Sequence, residues 1–356
     1  MTDTCGQKLV HADEGHVFSR LIRKSSGPLW VTLELTRRCN LACPHCYQGH
    51  QQGDELAFDA VMSVLDQLVA LGTMFLTITG GEVAAHPRAM DILRVAGEKR
   101  FVMKLKTNGT LWQPDDLAQL RQLAISEVHV SLYHVSPTEH DGFVGMPGAH
   151  DRTVNAIRYF DEHGIAVRVM VVLMNWNLEA ALPLADWCTQ NGFPYTFDFR
   201  IEPMEDGQMT SQKYQADVDA LADILPRIDF FAPQLPVREG TPAATDPVCA
   251  LGQSSLLITA SGDVYPCGVA RALWLGNIHQ QSIGQIWQGD RRLQLPQLTW
   301  GDDDACLHCQ QSAFCHRCPV TSAVTHGDYT RHSPLDCQMA TVRRLAASRL
   351  LATEKK

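Results

Sequence analysis

The stretch CNLACPHCY at residues 39–47 puts Cys39, Cys43 and Cys46 on one short segment. Thiolates spaced this closely suit a metal better than they suit a disulfide. Zinc would need a fourth donor, and His45 and His50 stand nearby, but structural zinc usually arrives on paired two-residue hooks. A four-iron, four-sulfide cube has four corners, so three thiolates leave one iron open to a small molecule.

A second set of seven cysteines lies further on: Cys249, Cys267, Cys306, Cys309, Cys315, Cys318 and Cys337. Their pattern is C-x12-G-x4-C, a gap, C-x2-C-x5-C-x2-C, a gap, and a last C. Taken alone, CLHC followed by CHRC would satisfy a zinc ribbon. Cys188, on the helical stretch ALPLADWCTQNG, reads as a small core residue, and Cys5 stands alone near the N-terminus.

These side chains need a frame, and the sequence supplies a repeating one. The runs VTLELT (31–36), MFLTITG (74–80), FVMKLKT (101–107), EVHVSLY (127–133), VRVMVVLM (167–174) and YTFDFRI (195–201) read as strands. Between them come amphipathic stretches such as FDAVMSVLDQLVALG and DRTVNAIRYFDEHG, with apolar residues three and four apart. Six such units give an α/β fold, a partial (β/α)6 TIM-like barrel. Within the strands, Glu34, Thr77, Thr79, Lys104, Lys106, His129, Ser131, Tyr133, Arg168, Asp198, Arg200 and Glu202 share one parity, whereas the other is mostly Val, Leu, Ile, Phe and Met. A closed barrel would fill its interior with branched aliphatics. A polar interior face therefore implies an open, wet lumen. The first cysteine segment falls just after the first strand, where such folds place their chemistry.

The expected divisions are an N-terminal extension (1–30), the barrel (31–202), a helix and linker (203–248), a small cysteine-rich domain (249–340) and a C-terminal helix (341–356). The helix in the third division is expected over SQKYQADVDALADILPRI. The cysteine-rich part has few long apolar runs and reads as stapled by metal. The 356-residue chain is 45% hydrophobic and carries a net charge of −9 with scattered Lys and Arg. That balance argues against nucleic-acid and membrane-surface partners. No signal peptide or membrane span is seen, so a cytoplasmic location is expected.

With those residues in view, the sequence resembles the radical S-adenosylmethionine (SAM) enzymes. CNLACPHC matches their Cys-x3-Cys-x-aromatic-Cys signature with His45 at the aromatic position, and TGGE at 79–82 looks like their glycine motif. TNGT at 107–110 and SLYHVSPTEHDGFVGMPGAHDRT at 131–153 look like further family segments. The resemblance implies that Cys39, Cys43 and Cys46 bind one [4Fe-4S] cluster whose open iron is chelated by SAM. It implies that Gly80, Gly81 and Glu82 hold the amino end of SAM and that Ser131 contacts its ribose. Many relatives carry a basic residue near the end of HDGFVG, where this chain has Gly142 and Phe143, and that contact is left unassigned. Reductive cleavage of SAM would give methionine and a 5′-deoxyadenosyl radical that abstracts hydrogen.

The second cysteine set, with SGDVYPCG, LGNI and SIGQIW around it, resembles the SPASM domain of such enzymes, which holds two auxiliary iron–sulfur clusters. Family assignment would give Cys306, Cys309, Cys315 and Cys337 to one cluster and Cys249, Cys267 and Cys318 to the other. Relatives often place a further cysteine just before the first, where this chain reads TPAATDPV. The second auxiliary cluster would then also have three cysteines. Only His316 and Arg317 separate Cys315 from Cys318, where relatives often have three residues.

Enzymes with this pair of domains mostly modify peptides or proteins. The leading expectation is a maturase of a ribosomally synthesised peptide, acting on a precursor peptide with a flavodoxin or ferredoxin-type electron donor. Because only 30 residues precede the first strand, a separate leader-recognition protein is also expected. The alternatives are action on a small molecule such as a tetrapyrrole, a sulfatase-type protein maturase, and a non-catalytic electron carrier. Asp198, Arg200 and Glu202 are the candidate substrate contacts; no residue is assigned as catalytic acid or base.

Overall fold

The computed structural model describes residues 27–49, 53–231, 235, 237–269 and 271–353; Cys5 and His50 lie outside them. Six parallel strands run in sequence order: β1 (Trp30–Glu34), β2 (Phe75–Thr79), β3 (Val102–Thr107), β4 (Ile125–Ser131), β5 (Val167–Val172) and β6 (Tyr195–Asp198). The connections carry α1 (Phe58–Ala70), α2 (Ala89–Glu98), α3 (Pro114–Leu120), α4 (Pro137–Val144), α5 (Ala149–Glu162) and α6 (Ala181–Asn191). β6 is a sheet edge and does not pair with β1, so the barrel stays open as the polar strand faces require.

The alternation read from the sequence is a division of burial. Val31, Leu33, Leu76, Ile78, Met103, Leu105, Val128, Val130 and Val169 are at most 1% exposed, in one core with the helix residues Val61, Leu65, Leu68, Ile92 and Ile157. Each such aliphatic, fully buried, contributes about 1.5–3 kcal/mol. On the other parity Thr32, Thr77, Lys104, Lys106 and Arg168 are half-buried. Cys188 is fully buried within the apolar core, as expected for a packing residue.

Three elements differ from the sequence expectation. The last strand ends at Asp198, because the Asp198 carboxylate accepts the Arg200 N–H at 3.0 Å and turns the chain, so Arg200 and Glu202 follow the strand. The helix expected over 211–228 is broken. A 3-10 turn (Thr210–Tyr214) precedes α7 (Val218–Ile224), whose first turn is capped by the Asp217 carboxylate bonding the N–H groups of Asp219 and Ala220. The cysteine-rich segment does not stand apart. Its first strand, β7 (Ser255–Ile258), pairs parallel with β1, and β8 (Asp263–Tyr265) and β9 (Gly276–Asn277) extend the sheet as antiparallel strands. Leu256, Ile258, Val264, Leu275 and, on α8 (Ile283–Gln288), Ile283, Ile286 and Trp287 join the same core. After α9 (Pro319–His326), helix α10 (Pro334–Thr353) begins well before residue 341 and takes Cys337 into its first turns. Arg349 ties α10 to α7 through the Asp219 and Asp223 carboxylates at 3.2 and 3.3 Å. None of the helices among the described residues is long and apolar enough to cross a membrane.

Candidate functional site

The first cysteine loop leaves β1 and is pinned at several points. The Leu35 N–H bonds the Thr79 carbonyl at 2.9 Å, the Ala42 N–H bonds the Val144 carbonyl at 2.8 Å, and the Asn40 amide donates to Thr110 Oγ1 at 2.8 Å. All three thiols are free. Burial pushes the Cys43 thiol up to about 12, with Cys46 and Cys39 adding to it as like charges. Burial also raises Cys39 and Cys46, with Cys46 in turn acting on Cys39. Three thiols near enough to oppose one another's ionisation are a site that a cationic centre would convert to thiolates. His45 takes the aromatic role: it packs edge-on to Tyr133 at 5.1 Å and stacks on Phe143 at 5.3 Å. Burial lowers its pKa to about 4, so the ring is neutral, and its Nδ1 is buried with no partner among the described residues.

Gly80 and Gly81 are glycine because the cysteine loop lies on top of them. A Cβ on Gly80 would sit 2.6 Å from the Thr36 carbonyl oxygen, and one on Gly81 would sit 2.5 Å from that of Arg38. The N–H groups of Gly81 and Glu82 bond those two carbonyls at 2.7 and 2.9 Å. With the Gly81 and Glu82 N–H groups turned inward, the glycine turn can offer a ligand carbonyl oxygens, which match an ammonium donor. The Glu82 carboxylate is 1% exposed and accepts from Thr107 Oγ1 and the Asn108 N–H at 2.6 Å each, and from the Ala84 N–H at 3.1 Å. It therefore ties the ends of β2 and β3 together beneath the loop. Ser131 ends β4 half-buried and hydrogen-bonds Tyr133. Gly142 and Phe143 lie on α4, and Phe143 stacks on Trp176 with ring centroids 4.2 Å apart.

The later cysteines fall into two neighbourhoods. Burial drives Cys306 and Cys315 up to about 12, with Cys315 acting on Cys306, Cys337 acting on Cys315, and Cys309 acting on Cys337. Burial drives Cys249 up to about 11, with Cys318 as its next cause. Cys267 lies half-buried between β8 and Arg271. The Cys306 thiol also shares a neighbourhood with Asp303 and His332, their ligand atoms all within 4.8 Å of one another. The thiol donors and their grouping fit iron–sulfur ligation.

Two polar networks join the barrel to the cysteine-rich segment, and local pattern gave no sign of either. In the first, Arg200 Nη1 lies 2.7 Å from Asp336 Oδ1, Nη2 donates to Thr321 Oγ1 at 3.0 Å, and Nε lies 2.8 Å from Glu202 Oε1. Asp336 also accepts the Cys318 N–H at 2.7 Å. In the second, Arg271 Nη2 sits 2.7 Å from Glu34 Oε1 and 2.8 Å from Glu205 Oε1, and Arg37 bonds the other Glu205 oxygen. Tyr47 donates to Glu34 at 3.2 Å. Inside the lumen, Glu127 accepts from His129 at 2.6 Å and Arg168 at 2.8 Å, with Lys104 at 3.5 Å.

Residues 33–188 match the family model for the Radical SAM superfamily, and residues 249–319 match that for SPASM, an iron–sulfur cluster-binding domain. Over 344 residues the chain is 25% identical to the AdoMet-dependent heme synthase of Methanosarcina barkeri, covering 88% of this chain and 97% of that one. Over 321 residues it is 29% identical to the antilisterial bacteriocin subtilosin biosynthesis protein AlbA of Bacillus subtilis, covering 82% and 67%. Its fold is similar to that of Streptococcus suis SuiB bound to precursor peptide SuiA, with a TM-score of 0.68 at 16% identity over 93% of this chain and 82% of that one.

Proposed function

We propose that this chain, which belongs to the radical SAM superfamily and carries a SPASM domain, is an enzyme that modifies a ribosomally synthesised peptide. The observation that carries the peptide reading is the 29% identity to the subtilosin biosynthesis protein, joined by 27% identity over 285 residues to the sporulation killing factor maturation protein SkfB of Bacillus subtilis. When bound, SAM on the first cluster supplies a hydrogen-abstracting carbon radical. Cys39, Cys43 and Cys46 hold that cluster, the carbonyl edge of Gly80 and Gly81 takes the amino end of SAM, and Ser131 faces its ribose. Glu82, expected to share in holding that amino end, has both oxygens taken by Ala84, Thr107 and Asn108 and acts on this site by fixing the β2 and β3 loops beneath it. Two auxiliary clusters sit on Cys306, Cys309, Cys315 and Cys337 and on Cys249, Cys267 and Cys318. Asp198, exposed at the end of β6, is the substrate contact, whereas Arg200 is taken up by both Glu202 and Asp336. An electron donor of flavodoxin or ferredoxin type in a reducing cytoplasm completes the system.

A second reading, a carboxylate-bearing tetrapyrrole as substrate, is favoured by the 25% identity over 344 residues to the AdoMet-dependent heme synthase. Anaerobically reconstituted protein with SAM and dithionite is offered a synthetic peptide encoded beside this gene or iron coproporphyrin III. The peptide reading expects 5′-deoxyadenosine together with a peptide lighter by lost hydrogen. Loss of carbon dioxide from the tetrapyrrole, with the peptide untouched, would overturn it.

A further inference from the structure

The least explained polar group near the first cysteine loop is Arg271. Its side chain is 9% exposed, and four chain segments converge on it. Glu34 ends β1, Tyr47 follows Cys46, Glu205 lies beyond β6, and Arg271 itself follows Cys267 by four positions. Both carboxylates take Nη2, at 2.7 and 2.8 Å. Nε and Nη1 are buried and have no hydrogen-bond partner among the described residues. The rings of Tyr47 and Tyr265, with centroids 5.8 and 5.4 Å from the guanidinium carbon, offset charge but offer no lone pair in the guanidinium's hydrogen-bonding plane. A guanidinium carries five N–H donors, so three are left over where an acceptor could meet them. Structures rarely leave buried donors of a charged group unpaired without a reason.

We propose that Arg271 binds the substrate, presenting Nε and Nη1 to a main-chain carbonyl oxygen of the peptide. This assignment rests on the peptide reading above. The local charges select the acceptor. Arg271 and Arg37 are matched by Glu34 and Glu205, so an incoming carboxylate would add an uncompensated buried charge, while a neutral carbonyl adds none. The position is apt, since Tyr47 adjoins the first cluster's ligands and the Tyr47 carbonyl accepts the Glu205 N–H at 3.0 Å. A peptide strand held here would lie between the first cluster and the auxiliary segment.

The test compares wild type with Arg271→Lys on the synthetic peptide encoded beside this gene. Lysine keeps a cation between Glu34 and Glu205 but withdraws the two free nitrogens. Hydrogen bonds to a charged donor are worth a factor of about 10 to 100 in binding. KM for the peptide should rise by that factor while kcat changes far less. A residue serving only the fold would instead lower thermal stability and leave KM alone, and that result overturns the assignment. A second measurement leaves the protein untouched: a backbone thioamide is walked along the peptide. One position should raise KM with wild type and cost nothing further with Arg271→Lys. A flat scan overturns the assignment as well. Wild-type turnover of iron coproporphyrin III with none of the peptide overturns the peptide reading itself and is told apart by the wild-type arm alone.

Discussion

Asp336 joins the rim of the barrel to the last cysteine, and removing its carboxylate should be costly. It is 2% exposed, accepts from Arg200 Nη1 and from the Cys318 N–H at 2.7 Å each, and precedes Cys337. Breaking a buried ion pair by deleting one partner costs about 3–5 kcal/mol, because the survivor is left uncompensated. Arg200 keeps Glu202 at 2.8 Å, which places Asp336→Ala at the lower end of that range. The stranded Cys318 N–H adds about 1–3 kcal/mol. The sum is about 4–6 kcal/mol, a fall of roughly 5–8 °C in Tm for a chain of this size. Arg200→Met should cost about 3 kcal/mol, since Asp336 retains the Cys318 and Thr321 donors. The double variant should then lose less than the two single losses added together, because both remove one interaction. The assay is anaerobic guanidinium unfolding at matched iron content, with iron per chain measured separately. Additive losses, or less than about 1 kcal/mol for Asp336→Ala, would refute the claim that this pair carries the junction.

Three further outcomes are expected. Burial alone would raise Glu127, but the bond from His129 and then the charge of Arg168 hold it down at about 2. A depressed carboxylate contributes stability fully above its unfolded pKa and loses it as pH falls through the folded value, so about 3 kcal/mol should drain away between pH about 4.5 and 2. Glu127→Gln should flatten that part of the unfolding-versus-pH curve, and an unchanged slope would contradict the assignment. His45→Phe removes the unpartnered Nδ1 while keeping the stack on Phe143. It should raise stability by about 1 kcal/mol in denaturant titration, with SAM cleavage retained. Gly81→Ala would drive a methyl into the Arg37 and Arg38 carbonyls at 2.6 and 2.5 Å. Overpacking of that kind costs about 1–3 kcal/mol and should displace the first cysteine loop. Iron analysis and 5′-deoxyadenosine assays should show the first cluster and SAM cleavage impaired while auxiliary iron is kept.

The sequence carried the features that local chemistry dictates. Alternating polar and aliphatic residues in six strands announced an open lumen, and Val31, Leu76 and Leu105 on one parity are buried while Thr32, Thr77 and Lys104 on the other are half-exposed. The grouping of the later thiols was legible only through the family resemblance, since spacing alone leaves a zinc ribbon open. Interactions across the chain were illegible. Arg271 meets Glu34 across 237 positions and Arg200 meets Asp336 across 136, distances at which no periodic pattern operates. The pairing of β7 with β1 was hidden for the same reason, since SLLI is a short apolar run that fits either a separate small domain or an added sheet strand. The TGGE glycines were legible as a motif, but only the packing of Thr36 and Arg38 against them explains why a Cβ is excluded.

The central claim is that three thiolates hold a cluster with one iron left for SAM, and electron paramagnetic resonance tests it most directly. The reduced, reconstituted protein should change its cluster signal when SAM is added, and Cys249→Ala combined with Cys318→Ala should leave that change in place. A spectrum indifferent to SAM would contradict the account at its base.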